Sequence, residues 1–132
     1  MDNLNFVIPG KPEYLTMIRL AIGSVSTTAG FDLDAVEDIK TAVSDACKLI
    51  SCHGYDGFSD KYELQCNVGE GSIEITVKDQ CESHSLEKIA KPCRNCPKEG
   101  DLGFFVIQSL MNEVEFGIDE DGRKSIRMVK NL

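Results

Sequence analysis

The sequence predicts an α+β fold in which helices pack on one face of a mixed β-sheet. A short apolar strand over residues 5–8 comes first, and two stretches with helical spacing follow it. Two alternating strands, a short helix and two further strands complete the order. Strands joined by hairpins, with the helices grouped in separate blocks, are typical of a two-layer α/β sandwich.

Two helices are expected in the first part of the chain. The first should span about residues 12–28, with Pro12 in its first turn, and end at Gly30. Asp32 or Asp34 should cap the second helix, which continues to about residue 52. One flank of its apolar stripe carries three residues of interest: Asp38, Asp45 and Leu49.

The hairpin that follows ends in an acidic residue on an apolar face. Residues 62–68 and 73–79 alternate between apolar and polar side chains, and the glycine-rich segment 69–71 joins them. Asp79 continues the phase of Ile75 and Val77, so its carboxylate should lie on the buried face. It needs a partner there, because an unpaired buried charge is costly.

A glycine-hinged helix start follows a long irregular segment at residues 80–102. Gly100 and Gly103 flank the first residue of an apolar helix that should run from Leu102 to about residue 112. The free amide groups at a helix start can receive an anion. Together with the strand-end acid Asp79, this arrangement suits a nucleotide: the acid would hydrogen-bond the base, and the helix start would hold the phosphates.

Composition limits the possible partners. The chain has 132 residues, of which 42% are hydrophobic, as expected for one domain over residues 1–132. A net charge of -8 argues against nucleic acid and anionic membrane surfaces, and favours a basic protein partner or a locally bound ligand. Neither a signal-peptide pattern nor a membrane-span pattern is visible, so we expect a cytoplasmic protein.

Six cysteines point to reduced thiols or to a metal site, because this domain size does not need disulfides. Cys47 and Cys66 have the pattern of core residues. The remaining soft ligands have zinc-like spacing within the long irregular segment: Cys81, His84, Cys93 and Cys96. The alternative is that these are ordinary loop residues, with exposed thiols at Cys93 and Cys96.

Four segments resemble the anti-sigma factor serine kinases, members of the GHKL (Bergerat-fold) ATPase superfamily. Residues 8–20 resemble the family's first strand and helix, and residues 36–47 its N-box helix. Residues 77–80 resemble the adenine-binding strand end, and residues 99–114 the second glycine box. The resemblance implies a two-layer GHKL sandwich with ATP and Mg²⁺ as cofactors. We assign no metal-ligating residue in this sequence.

The resemblance also implies residue roles and partners. Asp45 would be the catalytic base, Asp79 would bind adenine, and Gly100, Leu102 and Gly103 would line the phosphate side. The family sequesters a sigma factor, phosphorylates an anti-sigma-factor antagonist and forms homodimers through its first strand and helix.

This sequence departs from the family pattern at Leu49, where the family has a Mg²⁺-binding asparagine. Cys81 and Asp101 replace usual glycines. Two alternatives therefore stay open. One is a pseudokinase interaction module, and the other is a metal- or redox-sensing regulator that uses the cysteines of the long segment.

Overall fold

The computed structural model describes residues 2–50, 61–79, 102–118 and 123–132. Within them the elements follow the predicted order, and β1 begins three residues earlier than expected. The elements are β1 (Asp2–Pro9), α1 (Pro12–Thr28), α2 (Leu33–Leu49), β2 (Lys61–Gly69), β3 (Ser72–Asp79), α3 (Leu102–Leu110), β4 (Glu113–Ile118) and β5 (Lys124–Asn131).

The strands form one sheet in the order β1-β2-β3-β5-β4. The prediction of a mixed sheet is wrong in this detail, because each neighbouring pair among the described strands is antiparallel. The connection through α3 brings β4 back in the same direction as β3. Strand β5 then turns back and pairs between them, so these two parallel strands are never neighbours.

One face of the sheet lies beneath the helices, as predicted for a two-layer sandwich. Leu64, Val77 and Ile126 lie side by side on neighbouring strands and are fully buried. Ile18 and Ile22 of α1 enter the same core. The opposite face is polar, and there Arg127 of β5 forms a 2.8 Å ion pair with Glu74 of β3.

The ends of the first two helices follow from local chemistry. Gly30 has φ +99°, a left-handed conformation suited to a residue that follows a helix end. The Asp32 side chain accepts a 2.8 Å hydrogen bond from the Ala35 N–H, so Asp32 rather than Asp34 is the cap of α2. Helix α2 ends at residue 49, earlier than the predicted end near residue 52, and no glycine or proline in the sequence marks this point.

The hairpin between β2 and β3 is as tight as predicted. Gly69 pairs with Ser72, so only two residues form the turn. Gly71 is one of them and has φ +78°, which other residues rarely adopt. The turn fixes the register that brings Asp79, at the far end of β3, opposite Tyr62.

Helices long and apolar enough to cross a membrane do not occur among the residues that the structure describes.

Candidate functional site

A pocket of about 390 Å³ lies where the end of α2 meets the start of α3. This volume falls within the range of ordinary small-molecule pockets. Three residues predicted from the sequence line it together, namely Asp45, Leu102 and Gly103. The other described lining residues are Lys48, Leu49 and Val106.

Helix α2 positions Asp45 and Leu49 through its amphipathic pattern. Ala42, Val43 and Ala46 are fully buried against the rest of the core and fix the rotation of the helix. Asp45 and Leu49 are half-buried on the flank of this stripe, one turn apart. Both residues line the pocket, so the carboxylate of Asp45 can reach a ligand there.

Helix α3 is held by two buried anchors, Phe104 and Ile107. This leaves Leu102, which is 77% exposed, and Gly103 at the rim of the pocket. A β-carbon at Gly103 would lie 3.1 Å from the Leu49 Cδ1 atom, which is tighter than ordinary van der Waals contact. The glycine therefore permits α3 to approach the end of α2 closely, and within the described residues its backbone is an ordinary helical one.

The two charged residues of the pocket do not pair with each other. Glu37 and Lys40, three residues apart on α2, form an ion pair at 3.1 Å. Asp45 and Lys48 have the same spacing on the same helix, yet no ion pair joins them or links either to another residue in the described part of the chain. Both charges therefore stay available to a ligand in the pocket.

Asp38 is the third residue that the sequence placed on this flank of α2, with Asp45 and Leu49. It makes a contact outside the pocket. Its carboxylate lies 3.7 Å from the Lys130 ammonium of β5. It is absent from the described lining of the pocket. Asp38 therefore ties α2 to the sheet and is not grouped with Asp45.

Asp79 is 1% exposed on the helix-facing side of the sheet, as its phase in the sequence predicted. It does not belong to the described lining of the pocket. The register places Ser125 opposite Lys78, so Lys124 is the next residue beside Asp79, and it is only 3% exposed. The burial of Lys124 was not predicted, although its phase with Ile126 and Met128 marks it as a residue of the buried face.

The described pocket residues do not supply the Mg²⁺ ligands that the resemblance implies. The ion takes oxygen ligands, commonly one or two carboxylates with waters and phosphates. Asp45 supplies one carboxylate, and Leu49, one turn further, has no ligand atom. Across residues 2–50, 61–79, 102–118 and 123–132, no three His, Cys, Asp or Glu side chains form a group that could hold a metal ion.

Several predicted residues lie outside the described parts of the chain. Gly100 and Asp101 belong to this group, as do the proposed soft ligands Cys81, His84, Cys93 and Cys96. The prediction of a zinc-like site therefore stays a prediction.

The two described cysteines are core residues, as expected. Cys47 of α2 and Cys66 of β2 form no disulfide within the described residues and are fully buried. Burial disfavours the thiolate and raises the pKa of Cys47 to about 12 and the pKa of Cys66 to about 11. Both are inert at neutral pH, since the thiolate is the reactive form.

The family model of the histidine kinase-like ATPase domain matches residues 8–130. The chain belongs to this family. It is 31% identical to the serine-protein kinase RsbW of Halalkalibacterium halodurans over 140 residues, with 99% of this chain and 84% of that protein covered. It is 34% identical to the RsbW of Oceanobacillus iheyensis over 124 residues, with 86% of this chain and 78% of that protein covered.

Solved structures support the same fold. The RsbU and RsbW domains of Rv1364c from Mycobacterium tuberculosis superpose with a TM-score of 0.70 at 13% identity, covering 100% of this chain and 32% of that one. SiaB in the SiaB–SiaC complex from Pseudomonas aeruginosa gives a TM-score of 0.68 at 16% identity, covering 96% of this chain and 88% of that one. The family resemblance and the predicted α+β sandwich are therefore confirmed.

The relatives also favour one of the functions considered from the sequence. They support an anti-sigma-factor-type serine kinase, whose family implies ATP binding. They give no support to a pseudokinase module or to a metal- or redox-sensing regulator.

Proposed function

We propose that this chain, as a single ATPase-type domain over residues 1–132, is a serine protein kinase that regulates a bacterial sigma factor by partner switching. One observation carries the proposal. Asp45 lines a pocket against the first turn of α3, in a chain whose relatives are serine-protein kinases. The base position and the phosphate-side position of the family thus share one pocket.

The chemistry is the transfer of the γ-phosphoryl group of ATP to a serine. The serine Oγ attacks the γ-phosphorus, and the Asp45 carboxylate accepts the hydroxyl proton. The bond between the γ-phosphorus and the bridging oxygen breaks, and ADP leaves with that electron pair. Asp45 is half-buried, so it can face the pocket while the serine of a partner protein reaches it from solvent.

Four further residues would hold the nucleotide. Asp79 would hydrogen-bond adenine from the end of β3, where it is buried on the face beneath the helices. Leu102 and Gly103 would border the phosphates, with Gly100 preceding them in the sequence. The amide groups of the first turn of a helix favour negative charge. Within the described pocket lining, Asp45 is the one carboxylate, and Leu49 occupies the position where the resemblance implies a Mg²⁺-binding asparagine.

The partners would be a sigma factor, which the protein sequesters, and an antagonist protein, which it phosphorylates. A protein partner rather than nucleic acid agrees with the net charge of -8. The structural neighbour SiaB was solved in complex with SiaC, so a chain of this fold does bind a second protein. The cytoplasm, where sigma factors act, is the proposed location.

A homodimer would form through β1 and α1. Among the described strands, β1 is an edge of the sheet, and an edge strand can pair with a strand of a second chain. Val7 on β1 is 59% exposed, and Leu20 on α1 is 67% exposed. Sedimentation equilibrium of the native chain and of Leu20→Asp tests the dimer: the native chain should sediment as a dimer and the variant as a monomer. A monomeric native chain at micromolar concentration would count against it.

The kinase proposal is tested with γ-labelled ATP, MgCl₂ and a purified anti-sigma-factor antagonist encoded in the same genome. Phosphoserine on the antagonist is the expected product. Asp45→Asn should lower the rate by about 10²- to 10⁴-fold, the usual contribution of a positioned base. Asp38→Asn is the matched control on the same helix and should keep the native rate. No phosphoserine with the native chain would contradict the proposal.

A further inference from the structure

The end of α2 carries a lysine, Lys48, that forms no ion pair within the described residues. It lies beside Leu49, where the resemblance implies a Mg²⁺-binding asparagine. Lys48 lies in the last turn of α2 and is exposed at the rim of the pocket that Asp45 and Gly103 line. The C-terminal end of a helix favours positive charge. In this chain the Lys48 side chain supplies that positive charge.

Leu49, the residue after Lys48, makes a bound divalent ion less favourable in this pocket. Leu49 has no oxygen to offer a metal, and its Cδ1 atom packs toward the backbone of Gly103. A divalent ion beside Asp45 would also meet the Lys48 ammonium, a like charge in the same pocket. The two residues therefore act in the same direction, because Leu49 offers no ligand and Lys48 repels the ion.

We propose that the Lys48 ammonium takes the place of Mg²⁺ as the counter-charge for the nucleotide phosphates, so that this chain binds ATP without a divalent cation. This inference rests on the proposed nucleotide-binding function and deepens it. An ammonium group binds phosphate as a point charge with three donors. Glu37 and Lys40 form an ion pair at a spacing of three residues on α2. Asp45 and Lys48 have the same spacing, but Lys48 forms no ion pair within residues 2–50, 61–79, 102–118 and 123–132, so its ammonium is available to a phosphate.

The chemistry also predicts which ligands respond to Lys48. A contact to the outer phosphates contributes to ATP and ADP affinity and not to AMP affinity. A contact through a metal contributes only when the metal is present. These differences separate a direct lysine contact from a general effect of net charge, which would change the affinity for all three nucleotides.

The experiment is a calorimetric titration of the full chain with ATP, ADP and AMP, in EDTA and in MgCl₂. The native chain should bind ATP with dissociation constants that agree within about threefold between the two buffers. Lys48→Gln should weaken ATP binding in EDTA by about tenfold or more, as expected for a hydrogen bond to a charged group, and leave AMP binding unchanged. Lys40→Gln carries the same charge change on the same helix, away from the described pocket lining, and should bind ATP as the native chain does. Melting temperatures confirm that the variants are folded.

Three results would overturn the inference. ATP binding that is lost in EDTA would show that a divalent ion is needed, while the proposed nucleotide-binding function would stand. Unchanged ATP affinity in folded Lys48→Gln would exclude a phosphate contact from this residue. Absence of ATP binding in both buffers at millimolar concentration would overturn the inference together with the proposed function.

Discussion

Leu49 packs so closely over Gly103 that a β-carbon at Gly103 would lie 3.1 Å from the Leu49 Cδ1 atom. The two residues are far apart in the sequence and belong to α2 and α3. Their contact closes one side of the pocket that Asp45 lines. An asparagine at position 49, as in the family, would present an amide there instead of a methyl group.

This contact predicts energetic coupling between the two positions. Gly103→Ala should stabilise α3 through the higher helix propensity of alanine, by up to about 1 kcal/mol in a helix interior. The added methyl group would also crowd the Leu49 side chain. In a Leu49→Ala background the crowding is absent. We therefore expect Gly103→Ala to be more favourable there than in the native chain by about 0.5 kcal/mol or more. Urea unfolding of the four proteins measures this difference, and equal effects in both backgrounds would show that the contact has no energetic consequence.

Restoring the family's asparagine should restore a response to Mg²⁺. Leu49→Asn supplies an oxygen ligand one turn after Asp45, so ATP affinity should rise more in MgCl₂ than in EDTA. The gain should be larger when Lys48→Gln is also present, because the repulsion of the ion by the ammonium is then removed.

Leu49→Ala is the control for this restoration, since it opens the same space without a ligand. Titration calorimetry gives the affinities of all variants in both buffers. If Leu49→Asn and Leu49→Ala responded equally to Mg²⁺, the missing ligand atom would not be the reason for the difference from the family.

Alkaline pH should destabilise the fold through its two buried thiols. The pKa of each is near 9 in the unfolded chain, and burial raises it to about 12 for Cys47 and about 11 for Cys66. Below pH 9 both states keep the proton, and this contribution is constant. Above pH 9 the unfolded chain releases protons that the folded chain keeps, so stability falls by about 1.4 kcal/mol per pH unit for each thiol.

Urea unfolding at several pH values between 8 and 10 measures this slope. The Cys47→Ala/Cys66→Val double variant provides the reference for other groups that titrate in the same range. Its free energy of unfolding should fall less steeply with pH than that of the native chain. Parallel curves would mean that the thiols ionise equally in both states.

The parts of the fold set by local periodicity could be predicted from the sequence. Alternation over Ile75 and Val77 placed Asp79 on the buried face, and the spacing along α2 placed Asp45 beside the core stripe. Both patterns depend only on the repeat of a strand or a helix. The site residues Asp45, Leu102 and Gly103 were found through the family resemblance, and the structure brings them to one pocket.

The relations between distant segments could not be predicted in this way. Strand β5 lies between β3 and β4, and this placement depends on how the elements pack together. Because β5 is antiparallel to both neighbours, the described sheet has no parallel pair. The packing of Leu49 on Gly103 likewise depends on how α3 docks against α2. The burial of Lys124 could have been predicted, because the residue alternates in phase with Ile126. It was not predicted, because lysine residues are mostly exposed.

NMR titration of the ¹⁵N-labelled chain tests whether ATP binds where α2 meets α3, as we claim. Adding ATP should shift the amide signals of Asp45, Lys48 and Gly103, which line the pocket. The signal of Asn67, on the outer face of the sheet, should stay in place. Spectra that do not change at millimolar ATP, or changes confined to residues away from the pocket, would contradict the claim.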